Sequence, residues 1–142
     1  MKVYTRRGDD GTTGLLYGGR VAKDSPAPTA YGSVDEAQAF IGLARTHAEP
    51  GGELDTLLIA VEHDLWVLMA ELATNPERRR RGKPGQSLVT AEMVTKLEER
   101  IDEVMSRFDP PTDFVVPGAN PVCAALDVAR TVVRRAERAA MS

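Results

Sequence analysis

This 142-residue chain has one cysteine, two histidines and no long apolar run. Each shortage removes a class of function. A lone Cys123 cannot close an internal disulfide. It sits in an apolar helical stretch with no histidine nearby in sequence, which predicts a small core residue rather than a nucleophile. His47 and His63 are far apart in sequence, so neither a Ser-His-Asp nor a Cys-His constellation is evident, and both are expected to be surface or packing residues. No apolar stretch approaches the roughly 18 residues of a membrane helix. Met1-Lys2-Val3-Tyr4 does not open a secretory signal, and a cytoplasmic protein is expected. Positive charge is not in excess either. A net charge of -3 argues against a nucleic-acid partner, which calls for a basic surface to displace counterions, and gives the arginines local purposes.

A hydrophobic content of 42% over this length supports one domain with a real core, spanning 1–142. Helical periodicity runs through most of it. Leu54, Leu58, Val61, Leu65, Leu68 and Leu72 recur at alternating gaps of four and three, and Pro76 predicts that their helix ends near Thr74 or Asn75. Val94, Leu97, Ile101, Val104 and Phe108 repeat the spacing behind a Thr90 cap, with a stop at Pro110-Pro111. A first helix carries the smaller stripe Ala30, Val34, Ala37, Ile41 and Ala44. It could begin at Ser25-Pro26 or at the capping box Ser33-Val34-Asp35-Glu36; the former is favoured, with Gly32 kept inside the helix for close packing. The last helix offers Val122, Leu126, Ala129, Val133 and Ala136. Four such segments with moderate loops predict an all-α, up-and-down helical bundle (25–142) behind an irregular N-terminal loop (1–24). Between helices, Arg78-Arg79-Arg80-Arg81-Gly82-Lys83-Pro84-Gly85 reads as an exposed, solvated connector, and Phe114-Val115-Val116-Pro117-Gly118 as a short extended piece.

The two ends of the chain carry the chemistry. Tyr4-Thr5-Arg6-Arg7-Gly8-Asp9-Asp10-Gly11-Thr12-Thr13-Gly14 is a glycine-rich loop able to turn backbone N–H groups toward one point, with Thr5, Thr12 and Thr13 as hydroxyl donors and Arg6 and Lys23 as cations. Asp9 and Asp10 suit an anion site only if a divalent cation accompanies the anion, as in a magnesium-bound nucleotide. Neither a P-loop nor a dinucleotide fingerprint is present. In the last helix Asp127, Arg130, Arg134 and Glu137 fall at steps of three, four and three, a charged stripe offset from the apolar one. On an isolated helix such a stripe is a set of surface ion pairs; Asp35 of the first helix could join it.

These segments, taken with Gly19-Arg20-Val21-Ala22-Lys23-Asp24, Ala30-Tyr31-Gly32-Ser33-Val34-Asp35-Glu36, Phe114-Val115-Val116-Pro117-Gly118 and Ala129-Arg130-Thr131-Val132-Val133-Arg134-Arg135-Ala136-Glu137-Arg138, resemble the PduO-type ATP:cob(I)alamin adenosyltransferases, in family order from end to end. The resemblance implies a homotrimer of helical bundles, five helices per family member against four here, with an ATP site between subunits. By it, Thr5, Arg6, Gly8, Asp9, Gly11, Thr12, Thr13 and Lys23 surround the triphosphate. Arg130 pairs with Asp35 across the interface, and Arg134 and Glu137 hold phosphate and the nucleoside or magnesium. Phe114 matches an aromatic that lies beneath the corrin ring and keeps the lower axial ligand off cobalt.

The reaction implied is attack of cob(I)alamin on the ribose 5′ carbon of ATP, forming adenosylcobalamin and releasing triphosphate. It needs cations at the leaving group and in-line placement, as Lys23, Arg134 and Mg2+ could supply, but no protein nucleophile or general base. A cobalamin reductase or an adenosylcobalamin-dependent enzyme is an implied protein partner. The chain departs from the family at Ala27, Gln38, Asp127 and Ala119, where Arg, Asn, His and Gly are usual, and family members continue into a further helix past the arginines. These departures keep open a nucleotide- or cobalamin-binding module that carries or senses the cofactor. A third possibility is a bundle whose arginine stripe only stabilises oligomers.

Overall fold

The computed structural model describes residues 3–141. A hairpin of β1 (Thr12–Gly14) and β2 (Arg20–Ala22) precedes four α-helices: α1 (Pro26–Arg45), α2 (Glu53–Leu72), α3 (Ala91–Met105) and α4 (Pro121–Ala140). The N-terminal segment therefore carries a short two-stranded hairpin within an otherwise irregular loop. Local chemistry explains the helix starts. Ser25 stands at the N-cap position of α1 with its hydroxyl donating back to Ala22 O (2.7 Å), and Pro26 takes the first turn, where the missing N–H costs nothing. Thr90 Oγ1 accepts from the Met93 N–H (3.3 Å), and Asn120 Oδ1 from the Cys123 N–H (2.9 Å) ahead of Pro121. Gly32 lies inside α1, but a Cβ there would meet nothing within 4 Å, so close packing within the chain does not explain it.

Cross-helix contacts give the topology. Arg45, at the end of α1, reaches Asp55 in the first turn of α2 (2.8 Å) and Glu62 two turns further along the same face (2.9 Å), while Gly42 faces Glu62, so the two helices are antiparallel. Glu36 of α1 pairs with Arg135 of α4, while Ile41 and Ala44 meet Ala125 and Ala129. That pairing is antiparallel too. Arg107, just past α3, pairs with Glu53 at the start of α2 (2.6 Å). The result is an up-and-down bundle, with α1 at its centre and α2 and α4 against it.

The core is small-residue packing along α1 and α4: Ala30, Val34, Ala37, Ile41 and Ala44 against Ala125, Ala129, Val132 and Ala136, closed by Leu58 of α2. The α4 stripe is rotated from the expected one. Val132 is buried in place of Val133, and Ala125 lies deeper than Leu126, because close approach to the alanine face of α1 selects small side chains over large ones. Cys123 accordingly falls on the exposed side of α4 rather than in the core. The α3 stripe differs most: Val94, Leu97, Ile101, Val104 and Phe108 are all exposed. An open cleft of about 800 Å3, lined in part by Leu57, Ala60, Val61, Leu97 and Val104, separates α3 from α2.

The connectors also differ from expectation. Pro76–Arg81 winds into a 3-10 turn, opened by Asn75 Oδ1 accepting from the Glu77 N–H (3.0 Å). Phe114–Gly118 is exposed and forms no strand.

Candidate functional site

The hairpin is held at both ends. Thr12, Thr13 and Gly14 pair antiparallel with Ala22, Val21 and Arg20. Its turn runs through left-handed backbone at Tyr17, Gly18 and Gly19 (φ 66°, 97° and 93°). Glycine is needed at Gly19 for a second reason, since a Cβ there would stand 2.8 Å from Asn75 Nδ2. The tip docks on the segment after α2. The Leu16 N–H donates to Ala73 O (2.8 Å), the Asn75 N–H to Leu16 O (3.1 Å), and Asn75 Nδ2 to Gly18 O (2.9 Å). Arg78 Nη1 donates to Tyr17 O (3.2 Å), and the Arg81 guanidinium lies 5.3 Å from the centre of the Tyr17 ring. Two of the four connector arginines thus anchor the hairpin rather than only meeting water.

At the open end sit the residues expected to meet phosphate. The Lys23 N–H donates to Gly11 O (2.9 Å) and the Gly11 N–H to Gly8 O (3.2 Å). A Cβ on Gly8 would come 3.0 Å from Thr12 O and 3.1 Å from Lys23 Nζ, so the ammonium lies directly over this glycine. Thr5 Oγ1 accepts from the Arg7 N–H (3.4 Å), and Arg6, at φ 59°, places its guanidinium 5.4 Å from the Tyr4 ring centre. Gly8, Thr12 and Thr13 are half-buried; Thr5, Arg6, Asp9, Gly11 and Lys23 are exposed. The Thr12 N–H and then its hydroxyl hold the Asp10 carboxyl below its ordinary range, with Arg20 adding its charge.

The second cluster lies on the outer faces of α1 and α4. Asp35, Arg130, Arg134 and Glu137 are all exposed. Within the chain Arg130 Nε donates to Asp127 Oδ1 (2.9 Å), one helical turn away on the same helix. The α1–α4 link falls instead to Glu36 and Arg135. Among the described residues no ion pair engages Asp35, Arg134, Glu137 or Lys23, and no hydrogen bond joins the hairpin to α4. The antiparallel packing nonetheless puts the hairpin, which leads into α1, at the end of the bundle where α4 finishes. Phe114 is fully exposed in the segment leading into the other end of α4. Pro121 and Arg134 are roughly 20 Å apart along the helix axis, so a ligand set touching both regions is extended.

Sequence reading assigned no role to Arg20, Tyr17 or Arg78. A basic residue following a glycine pair in a strand was the available signal for Arg20, but the atoms it reaches depend on how residues 7–12 fold. No cluster of three or more His, Cys, Asp or Glu suited to a metal ion occurs among the described residues, and no helix among them is long and apolar enough to cross a membrane.

Comparison with known proteins bears on the family and the fold. The family model for cobalamin adenosyltransferase matches residues 3–142. The corrinoid adenosyltransferase PduO of Salmonella typhimurium is 40% identical over 138 residues, which are 97% of this chain and 40% of that protein. The corrinoid adenosyltransferase of Bacillus subtilis is 40% identical over 141 residues, 97% of this chain and 69% of its own. Among solved structures, a phenylalanine-to-alanine variant of the PduO-type ATP:corrinoid adenosyltransferase of Lactobacillus reuteri, complexed with cobalamin and ATP, superposes with a TM-score of 0.85 at 29% identity, covering 97% of this chain and 75% of that one. With its full described length matched and its bundle shared, this chain belongs to the cobalamin adenosyltransferase family.

Proposed function

We propose that the chain transfers the 5′-deoxyadenosyl group of ATP to cob(I)alamin, forming adenosylcobalamin and releasing triphosphate. The observation that carries this reading is the family match over residues 3–142, on a structure that displays Lys23 above the glycine loop and Arg134 on the open face of α4. In the reaction, the cobalt–carbon bond forms with the electron pair of cobalt(I), the C5′–O bond breaks, and that oxygen leaves with the triphosphate. Charge therefore grows on the phosphate chain. Lys23, Arg6 and Arg134 would offset it, with the backbone N–H groups of Gly8 and Asp10, which no other residue of the described loop engages, as further donors. Thr5, Asp9, Gly11 and Thr13 complete the loop's surface. Magnesium would arrive on the phosphates and draw most of its ligands from them, with Glu137 as a protein carboxylate to meet it.

The active unit in this reading is a cytoplasmic homotrimer of single-domain subunits, the loop 1–24 of one facing α4 of the next. Support comes from the described residues of one chain, among which no hydrogen bond or ion pair joins the hairpin to α4 or Asp35 to Arg130. Phe114 would shield the lower face of cobalt from water and from an axial ligand. A reductase able to deliver cobalt(I), or an enzyme that uses adenosylcobalamin, is the expected protein partner.

Two observations favour the alternative, a module that binds nucleotide or corrinoid without catalysis. Gln38 Oε1 is buried with no hydrogen-bond partner, and Asp127 occupies Arg130. The test is incubation with ATP, magnesium and chemically reduced cobalamin, followed by the absorbance change to adenosylcobalamin. Product from the wild type, lost in Arg134→Ala and slowed in Phe114→Ala, is the expected result. Tight ATP binding with no product at any enzyme concentration selects the module. Sedimentation equilibrium showing only monomer at assay concentrations overturns the shared site.

A further inference from the structure

The loop expected to grip phosphate with the Thr12 hydroxyl has already committed that hydroxyl elsewhere. The Thr12 N–H and Oγ1 both lie within hydrogen-bond distance of Asp10 Oδ1, at 3.0 and 2.8 Å. Arg20 Nε approaches the same hydroxyl at 2.8 Å. Because a charged carboxylate only accepts and a guanidinium only donates, the orientation is forced: the hydroxyl hydrogen points to Asp10 and its lone pair faces Arg20. Arg20 Nη2 also donates to Arg7 O (2.6 Å) and Thr12 O (3.2 Å), and lies 3.7 Å from Asp10 Oδ1. Three side chains therefore close a ring around the segment from Arg7 to Thr12. Inside that ring are Gly8, under Lys23 Nζ, and Gly11, in left-handed backbone at φ 80°.

Resting on the nucleotide reading above, we propose that Asp10, Thr12 and Arg20 are positioning residues rather than phosphate ligands. They form a closed frame that holds the glycine backbone and Lys23 in the shape a nucleoside triphosphate requires. Asp10 is then no magnesium ligand, since its charge is turned inward to Thr12 and Arg20. Anion contact passes to Thr13, Lys23 and the backbone N–H groups of Gly8 and Asp10, which no other residue of the described loop engages. Preorganisation of this kind lowers the ordering cost that ATP binding would otherwise carry.

The test uses Thr12→Val, Thr12→Ser, Arg20→Ala, Arg20→Lys and the Thr12→Val/Arg20→Ala double variant of the full chain. Each is measured for magnesium-ATP affinity by calorimetry, for KM against kcat, and for amide hydrogen exchange without ligand. Thr12→Val and Arg20→Ala should each weaken ATP binding about tenfold, as for one charge-assisted hydrogen bond, leaving the KM for cob(I)alamin unchanged. The double variant should be no weaker than the worse single within about twofold, because both break one frame. Exchange at Gly11 and Lys23 should quicken in Arg20→Ala before any ATP is added. Thr12→Ser should behave as wild type, and Arg20→Lys should not rescue, since an ammonium cannot reproduce the fork. Losses that multiply toward about a hundredfold in the double variant, with ligand-free exchange unchanged, overturn the frame and make Thr12 and Arg20 separate phosphate contacts. A wild type that binds no ATP sinks the nucleotide reading instead, and the role with it.

Discussion

Helices α1 and α3 present stripes of the same rhythm and opposite fates. The α1 stripe is mostly alanine and is sealed, with Ala37 1% exposed; the α3 stripe is Val, Leu, Ile and Phe and is open, with Ile101 54% exposed. Hydrophobic bulk therefore does not decide which face is buried here. Alanines at Ala30, Ala37 and Ala44 meet alanines at Ala125, Ala129 and Ala136, so the α1 and α4 backbones can approach closely and exclude water with little side-chain ordering. That approach also displays the outer faces of the two helices, where Asp35, Arg130, Arg134 and Glu137 sit.

The largest expected effect tests this division between an inner, structural face of α4 and an outer, chemical one. Arg134→Ala should lower adenosyl transfer by about 10²–10³-fold, as for other lost stabilisers of a developing anion, while thermal unfolding stays within about 0.5 kcal/mol of wild type. A variant that loses activity and stability together would mean that Arg134 belongs to the packing.

On the inner face, Ala37→Leu should cost about 1–3 kcal/mol by overpacking a site with no room for three further carbons, read as a lower urea midpoint. An unchanged midpoint would show that α1 and α4 are not closely apposed at this point.

The charges that accompany the two helices should part in the same way. The Gly51 N–H and then Arg45 hold the Asp55 carboxyl below its ordinary 3.8, where α1 meets α2. Its folded-state value is depressed, so its contribution is complete above pH 3.8 and is lost as pH falls through the depressed value. Asp55→Asn should reduce stability at neutral pH and flatten the acid loss below 3.8. Glu103, lowered from 4.5 by Arg100 and then Arg107 on the surface of α3, obeys the same sign. Glu103→Gln should have a smaller effect that fades with salt, because water and ions screen an exposed pair. Equal slopes for the two variants in urea titrations across this pH range would erase the distinction.

Much of this was legible in the residues, and what was not has a common cause. Ser25-Pro26 and Thr90 announce helix starts because capping is local chemistry, satisfied within one turn. Arg134 and Glu137 were placed together because helical steps of three put them on one face. The choice of Val132 over Val133 was not legible: adjacent stripes on a helix share Ala129 and Ala136, and only the alanine face of α1 decides between them. Within the chain Arg130 meets Asp127, one turn away on its own helix; a pairing with Asp35 across an interface is not something helical spacing can announce. Arg20, Arg78 and Tyr17 escaped because their partners are backbone carbonyls, which carry no signature in a sequence, or side chains that only the fold brings near, such as Thr12 for Arg20 and Ser87 for Tyr17. The exposure of α3 escaped because periodicity says that a face is apolar and says nothing of what lies opposite.

The smallest expected effect bears on that last point. Ile101→Ser removes a branched side chain from the middle of the α3 stripe, yet Ile101 is more than half exposed. Little apolar area returns to water in the isolated chain, so the cost should stay within about 0.5 kcal/mol, with solubility improved as an exposed apolar patch is broken. The same change at a site covered by another surface would cost what a buried aliphatic does, about 2–5 kcal/mol. Measured by urea unfolding across a range of protein concentrations, a small and concentration-independent cost keeps α3 as the open counterpart of α1. A large cost that grows with concentration would place a second copy against the stripe, and the contrast between the two helices would then belong to the single chain alone.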